Sequence, residues 1–165
     1  MSIIETDIFL EIRKHIDKGK VVWGTCAGMI LLANNIFGKI NGQKNIGGLD
    51  VEIHRNFFGS QMNSFIEKIG YPEVFQKEGL FDAVFIRAPI ISSVKENVKI
   101  LAKLNDDTII AVQQNNNIIG TSFHPELVSN NNSWHQYFID LFDKANFEKK
   151  LICSIFISCK GSNLS

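Results

Sequence analysis

The chain has 165 residues, of which 45% are hydrophobic, with 17 basic and 17 acidic side chains and no net charge. That length is enough for one globular core. The balanced charge offers neither a basic field for nucleic acid nor a patch for a membrane surface.

In chain order, Ile8, Phe9, Ile12 and Ile16 recur at helical spacing, and Gly19 is placed to end that helix. Val21-Val22-Trp23 then predicts a short buried strand that runs into Gly24-Thr25-Cys26-Ala27-Gly28, with a helix expected over Ala27 to Ile36. A side chain exposed on so sharp a strand-to-helix turn needs neighbours that tolerate unusual backbone angles and close approach, and glycines two residues either side supply them. Cys26 would sit at the helix N-terminus, where free N–H groups and the positive dipole end favour a thiolate, the form that attacks carbonyl carbon. The pentapeptide alone also suits a small apolar side chain buried against a packed helix.

The Gly-, Asn- and Lys-rich stretch from Phe37 to Gly48 reads as a loop. Leu49 to His54, Gln61 to Lys68, Phe81 to Arg87 and Val98 to Leu104 read as strands. Thr108 to Gln113 and Ile118 to Phe123 flank Asn115-Asn116-Asn117, whose tolerance of left-handed backbone suits a hairpin. The second arm of that hairpin delivers His124-Pro125-Glu126. Proline biases His124 toward an extended backbone, so residues 124 and 126 can project to one side. Glu126 could then orient the imidazole while its other nitrogen faces a thiol, the logic of a nucleophile, base and third group. A histidine satisfied by backbone in a loop, with Glu126 solvated, is the alternative the tripeptide leaves open.

Asn130-Asn131-Asn132-Ser133 offers a helix N-cap, and Trp134, Tyr137, Phe138, Leu141, Phe142 and Ala145 form an apolar stripe that reads as core. His15, His54 and His135 lack metal-ligand spacing. Leu151 to Cys159 is an apolar run without charge, suited to add an edge strand, to bind a partner or to aggregate. The three cysteines, Cys26, Cys153 and Cys159, are an odd number without C-x-x-C spacing, so neither a disulfide framework nor a metal site is expected. A cytoplasmic compartment fits that usage, as does the absence of a leader pattern or of an apolar run long enough to span a bilayer.

Together, the G-x-C-x-G elbow and the later His124-Pro125-Glu126 resemble the glutaminase domain of class I (triad) glutamine amidotransferases. Gly24 to Ala33, Gly47-Gly48-Leu49-Asp50-Val51, Arg55 to Gln61, Phe85-Ile86-Arg87-Ala88-Pro89 and Ser122 to Leu127 are similar, in order, to the glutaminase subunit of pyridoxal 5′-phosphate synthase. The resemblance covers about Asp7 to Ala145. It implies an α/β, three-layer, flavodoxin-like fold, a mixed sheet with helices on both faces, over a glutaminase domain at 1–147 followed by an atypical tail at 148–165.

By that resemblance Cys26 is the nucleophile, His124 the general base and acid, and Glu126 its orienter. Arg55, Ile86 and Arg87 hold glutamine, and the Ala27 N–H is an oxyanion donor. A guanidinium fork suits the carboxylate of an amino acid, although Arg55 and Arg87 taken alone also suit structural ion pairs. The family carries no cofactor and passes ammonia to a (β/α)8-barrel synthase subunit. It also has a Gly-Gly-Glu-Ser oxyanion segment upstream of the nucleophile. This chain starts at the helix before the elbow strand, so the first strands and that segment are expected to be missing, and both ends fit a fragment or an imperfect gene model. Two alternatives are an amidotransferase subunit of another pathway and a catalytically impaired, truncated paralogue that acts as a binding partner.

Overall fold

The computed structural model describes residues 3–38, 44–55, 64–129 and 131–160, with side chains from 7 to 147 within those stretches. The first helix, α1 (Ile3–Asp17), ends at Gly19, whose φ of 67° and N–H bond to the Ile16 carbonyl close the helix as expected. Strand β1 (Val22–Thr25) then runs to the elbow, and α2 (Ala27–Leu32) leaves it.

The expected helix to Ile36 stops four residues early, because Ala33–Phe37 forms β2, parallel to β3 (Leu49–His54). Tertiary hydrogen bonds explain the change. Asn34 donates to Asp50 at 2.6 Å and accepts from the Gly48 N–H at 2.8 Å, while Asn45 donates to the Ala33 carbonyl. Asparagine is a poor helix former, so these bonds meet little resistance.

Strands β4 (Ser64–Gly70) and β5 (Leu80–Ile86) pair antiparallel as a separate two-stranded sheet. The expected start of β4 at Gln61 lies outside the described residues. Strand β6 (Ile90–Val94) follows directly after Pro89 and was not expected; β7 (Val98–Lys103), β8 (Ile109–Gln114) and β9 (Ile118–Thr121) match their expected places within a residue or two. The asparagine turn between β8 and β9 places Asn115 at φ 51°, in the left-handed region that asparagine tolerates.

The larger sheet has the order β1-β9-β8-β6-β3-β2, with β7 also paired to β8. Its strands are mixed in direction: β1 and β9 are parallel, and β8 is antiparallel to β9. One face packs Ile119, Ile110 and Phe123 against the β4–β5 pair and the residues Trp134, Tyr137, Phe138 and Leu141 of the last helix, α3 (Ser133–Lys160). The other packs Ile118, Val112 and Leu49 against Ile16 of α1 and Met29 and Leu32 of α2. Neighbouring residues of β9 thus serve opposite cores, as a two-residue strand period demands. The result is the expected three layers.

Helix α3 begins with the Asn131 side chain accepting the Ser133 N–H at 3.0 Å. The aromatic stripe is core through Leu141, whereas Phe142 is exposed. The helix continues to Lys160 without a break at residue 147, so Leu151 to Cys159 is helical rather than an edge strand.

Candidate active site

The elbow forms because β1 and α2 come closer than a side chain would allow. A Cβ on Gly24 would lie 2.7 Å from backbone atoms of Gly28 and Met29, so glycine is required there. A Cβ on Gly28 would meet nothing within 4 Å, so only one of the two flanking glycines is forced by space. Between them Cys26 adopts φ 46° and ψ −105°, a conformation unfavourable for a residue with a side chain. Two backbone bonds hold it there: its N–H donates to the Thr121 carbonyl at 2.7 Å, and its carbonyl accepts from Ile30 at 3.2 Å.

The bond to Thr121 ties the elbow to the histidine. Thr25 and Thr121 are partners in the parallel β1–β9 ladder, so Cys26 and His124 leave adjacent strands at the same end. His124 has an extended backbone, φ −108° and ψ 88°, and Pro125 starts a single 3-10 turn, Pro125–Leu127. That turn brings the Glu126 carboxylate 2.7 Å from His124 Nδ1, leaving Nε2 as the second imidazole nitrogen.

Strand β5 supplies the third side. The His124 N–H donates to the Val84 carbonyl at 2.8 Å, which places the end of β5 beside the histidine. Two residues on, the Ile86 carbonyl accepts from the Cys26 thiol across 4.0 Å. Arg87 follows at φ 45° with its side chain exposed, close enough to act electrostatically on Cys26. Cys26, Ala27, Ile86, Arg87, His124 and Glu126 thus share one locality. Arg55 stands apart in the sheet: it follows β3, which β8 and β6 separate from β9.

Burial pushes the Cys26 thiol above its ordinary pKa, and the nearby Glu126 charge adds to this; the Ala27 N–H and Arg87 act in the opposite sense. The expected preference for thiolate at the helix start is therefore outweighed by desolvation. For Glu126, partial burial raises the pKa, but the hydrogen bond with His124, its own backbone N–H and the nearby His124 and His135 together hold it below the usual carboxylate value. A carboxylate at neutral pH facing Nδ1 keeps the imidazole proton on that nitrogen, leaving Nε2 free to accept another.

Sequence reading missed two contributors. His135 packs its ring edge against Trp23, 5.4 Å between centroids, and acts on Glu126. Trp23 in turn donates from its indole to the Thr121 hydroxyl at 3.1 Å, bracing the pair of strands under the site. His135 depends on where α3 packs and the Trp23 bond on the pairing of β1 with β9, neither of which a local pattern encodes. Among the described residues no group of three or more His, Cys, Asp or Glu side chains is placed to hold a metal, and no helix is long and apolar enough to cross a membrane.

Residues 1–144 match the model of the SNO glutamine amidotransferase family. A probable pyridoxal 5′-phosphate synthase subunit pdx2 of Dictyostelium discoideum is 46% identical over 153 residues, covering 82% of this chain and 61% of that protein. A pyridoxal 5′-phosphate synthase subunit PdxT of Dehalococcoides mccartyi strain CBDB1 is 46% identical over 124 residues, covering 75% of this chain and 62% of that protein. This chain therefore spans about three-fifths of the length of these relatives. Among solved structures, a glutamine amidotransferase superposes with a TM-score of 0.74 at 38% identity, covering 84% of this chain and 70% of that one. An elbow cysteine braced to the strand that leads into a His-Glu pair thus lies within a matched stretch of 144 residues, and the chain belongs to the SNO glutamine amidotransferase family.

Proposed function

We propose that this chain hydrolyses glutamine to glutamate and ammonia through Cys26, His124 and Glu126. The observation that carries the reading is the 2.7 Å bond between His124 and Glu126 at the end of β9, the strand whose Thr121 carbonyl holds the Cys26 elbow. In the proposed reaction His124 takes the thiol proton and the thiolate attacks the side-chain amide carbon. The oxyanion accepts the Ala27 N–H. The imidazolium returns its proton to the amide nitrogen, which leaves as ammonia, and a glutamyl thioester remains on Cys26. Water deprotonated by His124 then attacks the thioester, releasing glutamate and regenerating the thiol. Arg87 and Ile86, beside the sulfur, are assigned to hold the amino acid, with Arg55 as a further guanidinium for its carboxylate.

The ammonia is assigned to a pyridoxal 5′-phosphate synthase subunit, a (β/α)8 barrel, because the relatives at 46% identity bear the names of subunits of that synthase. Vitamin B6 synthesis in the cytoplasm is the proposed setting. A half-buried thiol held above its ordinary pKa favours low activity for the chain alone; stimulation by the synthase subunit is proposed because ammonia is best protected inside a complex. Glutamine-dependent ammonia release, measured with and without the synthase subunit, tests this. Release that rises with the partner and vanishes in Cys26→Ala is expected; equal background from both proteins under every condition would refute it.

A further inference from the structure

We propose that Tyr71 and Lys77 are positioning residues for the His124–Glu126 pair, acting through Asn131 and Ser133 to pin the segment that carries Glu126 against the β4–β5 pair of strands. The role rests on reading His124 and Glu126 as the base and its orienter.

Strands β4 and β5 form one wall of the site, yet they are not ladder partners of the large sheet. Apolar packing supplies much of their attachment: Phe81 and Phe85 lie against Phe123, with ring centroids 5.4 and 5.9 Å apart, and Phe75 lies against Trp134 at 4.9 Å. Such contacts are non-directional, so they hold two layers together without fixing how one lies along the other. Hydrogen bonds, with their narrow range of distance and angle, fix that.

One such bond runs from the His124 N–H to the Val84 carbonyl, at the site end of β5. Others lie at the opposite end, where β4 passes into β5. There the Tyr71 N–H donates to the Gly79 carbonyl at 3.2 Å, and a 3-10 turn (Glu73–Phe75) followed by Gln76 at φ 48° doubles the chain back. Lys77 thereby lies over the Tyr71 ring, its ammonium 4.3 Å from the centroid. That ammonium donates to the Tyr71 hydroxyl at 3.2 Å and to the Ser133 hydroxyl at 2.9 Å. The Asn131 amide donates to the same Tyr71 hydroxyl at 2.5 Å, while its oxygen accepts the Ser133 N–H. Side chains from the β4–β5 connection and from the start of α3 thus close one polar knot.

The position of the knot in the chain gives it a bearing on the chemistry. Glu126 sits on a single 3-10 turn, and Ser133 follows Leu127 by six residues. That short segment is held before the turn by His124 on Val84 and after it by Asn131 and Ser133 on Tyr71 and Lys77. Both anchors belong to the strands whose end brings Ile86 and Arg87 beside the Cys26 sulfur. Strands and segment form a closed frame, and releasing its far corner frees Glu126, whose half-exposed side chain relies on backbone placement to stay 2.7 Å from Nδ1.

The knot also has a signature of its own. Partial burial raises the Tyr71 pKa, but hydrogen bonds with Ser133, Lys77 and Asn131 and the Lys77 charge together hold it below the ordinary phenol value. Burial pushes Tyr137, the other tyrosine of the chain, up. Lys77→Met should therefore raise the lower of two tyrosine titrations followed by absorbance.

The test uses the full chain, isotope-labelled at the nitrogens of its four histidines, with the His124 tautomer read by NMR. Tyr71→Phe and Lys77→Met should shift neutral His124 from the Nδ1–H form that Glu126 holds toward the Nε2–H form that imidazole prefers in water, leaving His15 and His54 as they were. With the proposed synthase subunit present, kcat for glutamine should fall about tenfold while KM stays within about twofold. Lys77 is exposed, so its bonds add little to global stability and the urea midpoint should hold in Lys77→Met. Lys77→Arg keeps a donor over the ring and should restore both readouts. Lys68→Met breaks an exposed 2.9 Å ion pair with Asp82 on the same strands and should change neither. An unshifted His124 tautomer in both variants, or a kcat loss that tracks a lower urea midpoint with the tautomer intact, overturns the proposal. A tautomer shift in a chain that never hydrolyses glutamine supports the positioning and counts against the hydrolysis instead.

Discussion

The Cys26 N–H and the Thr121 carbonyl are 2.7 Å apart, one bond that joins the strained elbow to the strand leading into His124. Strain in the elbow and placement of the base are thereby one structural problem. Movement of β9 against β1 would displace the histidine and relax the cysteine together.

Replacing the sulfur nucleophile should abolish turnover. Cys26→Ala is expected to lower glutamine hydrolysis by about 10⁴-fold or more, since the proposed reaction forms its thioester on Cys26. Ammonia release under saturating glutamine, with the synthase subunit present, checks this.

Neutralising the orienter should cost less. Glu126→Gln keeps the side-chain shape but loses the charge 2.7 Å from Nδ1 and can stabilise the wrong tautomer. Because the Glu126 side chain is 47% exposed, the expected loss in kcat is about 10²-fold, smaller than the ~10⁴-fold typical of a buried orienter. A KM that stays within about twofold while kcat falls would mark a positioning effect rather than lost binding.

The thiol's environment predicts a pH profile. Since burial and Glu126 raise the Cys26 pKa, the thiol stays protonated at neutral pH, and its alkylation by iodoacetamide should rise with pH to a midpoint above the ordinary thiol value. Arg87→Ala removes a cation that favours thiolate, moving that midpoint up; Glu126→Gln removes a nearby anion, moving it down. Opposite shifts in the two variants, read by alkylation rate, check the electrostatic layout of the site.

The two glycines of the elbow should respond differently. Gly24→Ala forces a Cβ to within 2.7 Å of backbone atoms and should destabilise the fold by about 2–3 kcal/mol. Gly28→Ala meets open space inside a helix and should be neutral or stabilising by up to about 1 kcal/mol. Urea midpoints at constant slope separate them.

Much of the architecture was legible because its signals are local. The elbow glycine, the proline that extends His124 and the two-residue spacing to Glu126 lie within short stretches, and the structure assembles them as the stretches suggest. The β8–β9 hairpin followed from three asparagines. The end of α2 was not legible, because Asn34 gains its partners from Asp50 and Gly48, distant in sequence. Strand β6 was missed because five residues after a proline carry little periodicity. The raised Cys26 pKa was missed for a related reason: a helix N-terminus is visible in sequence, whereas the burial that opposes it belongs to the packed site. Arg55 entered through resemblance alone, and the sheet order does not itself bring it to the sulfur.

The most direct measurement is the mass of the Cys26-containing peptide after the chain, with the proposed synthase partner, is mixed with glutamine and quenched in acid. One glutamyl group on Cys26, formed together with ammonia, is expected, and none on the Cys26→Ser protein. An unmodified Cys26, with ammonia release equal to that of the variant, would contradict it.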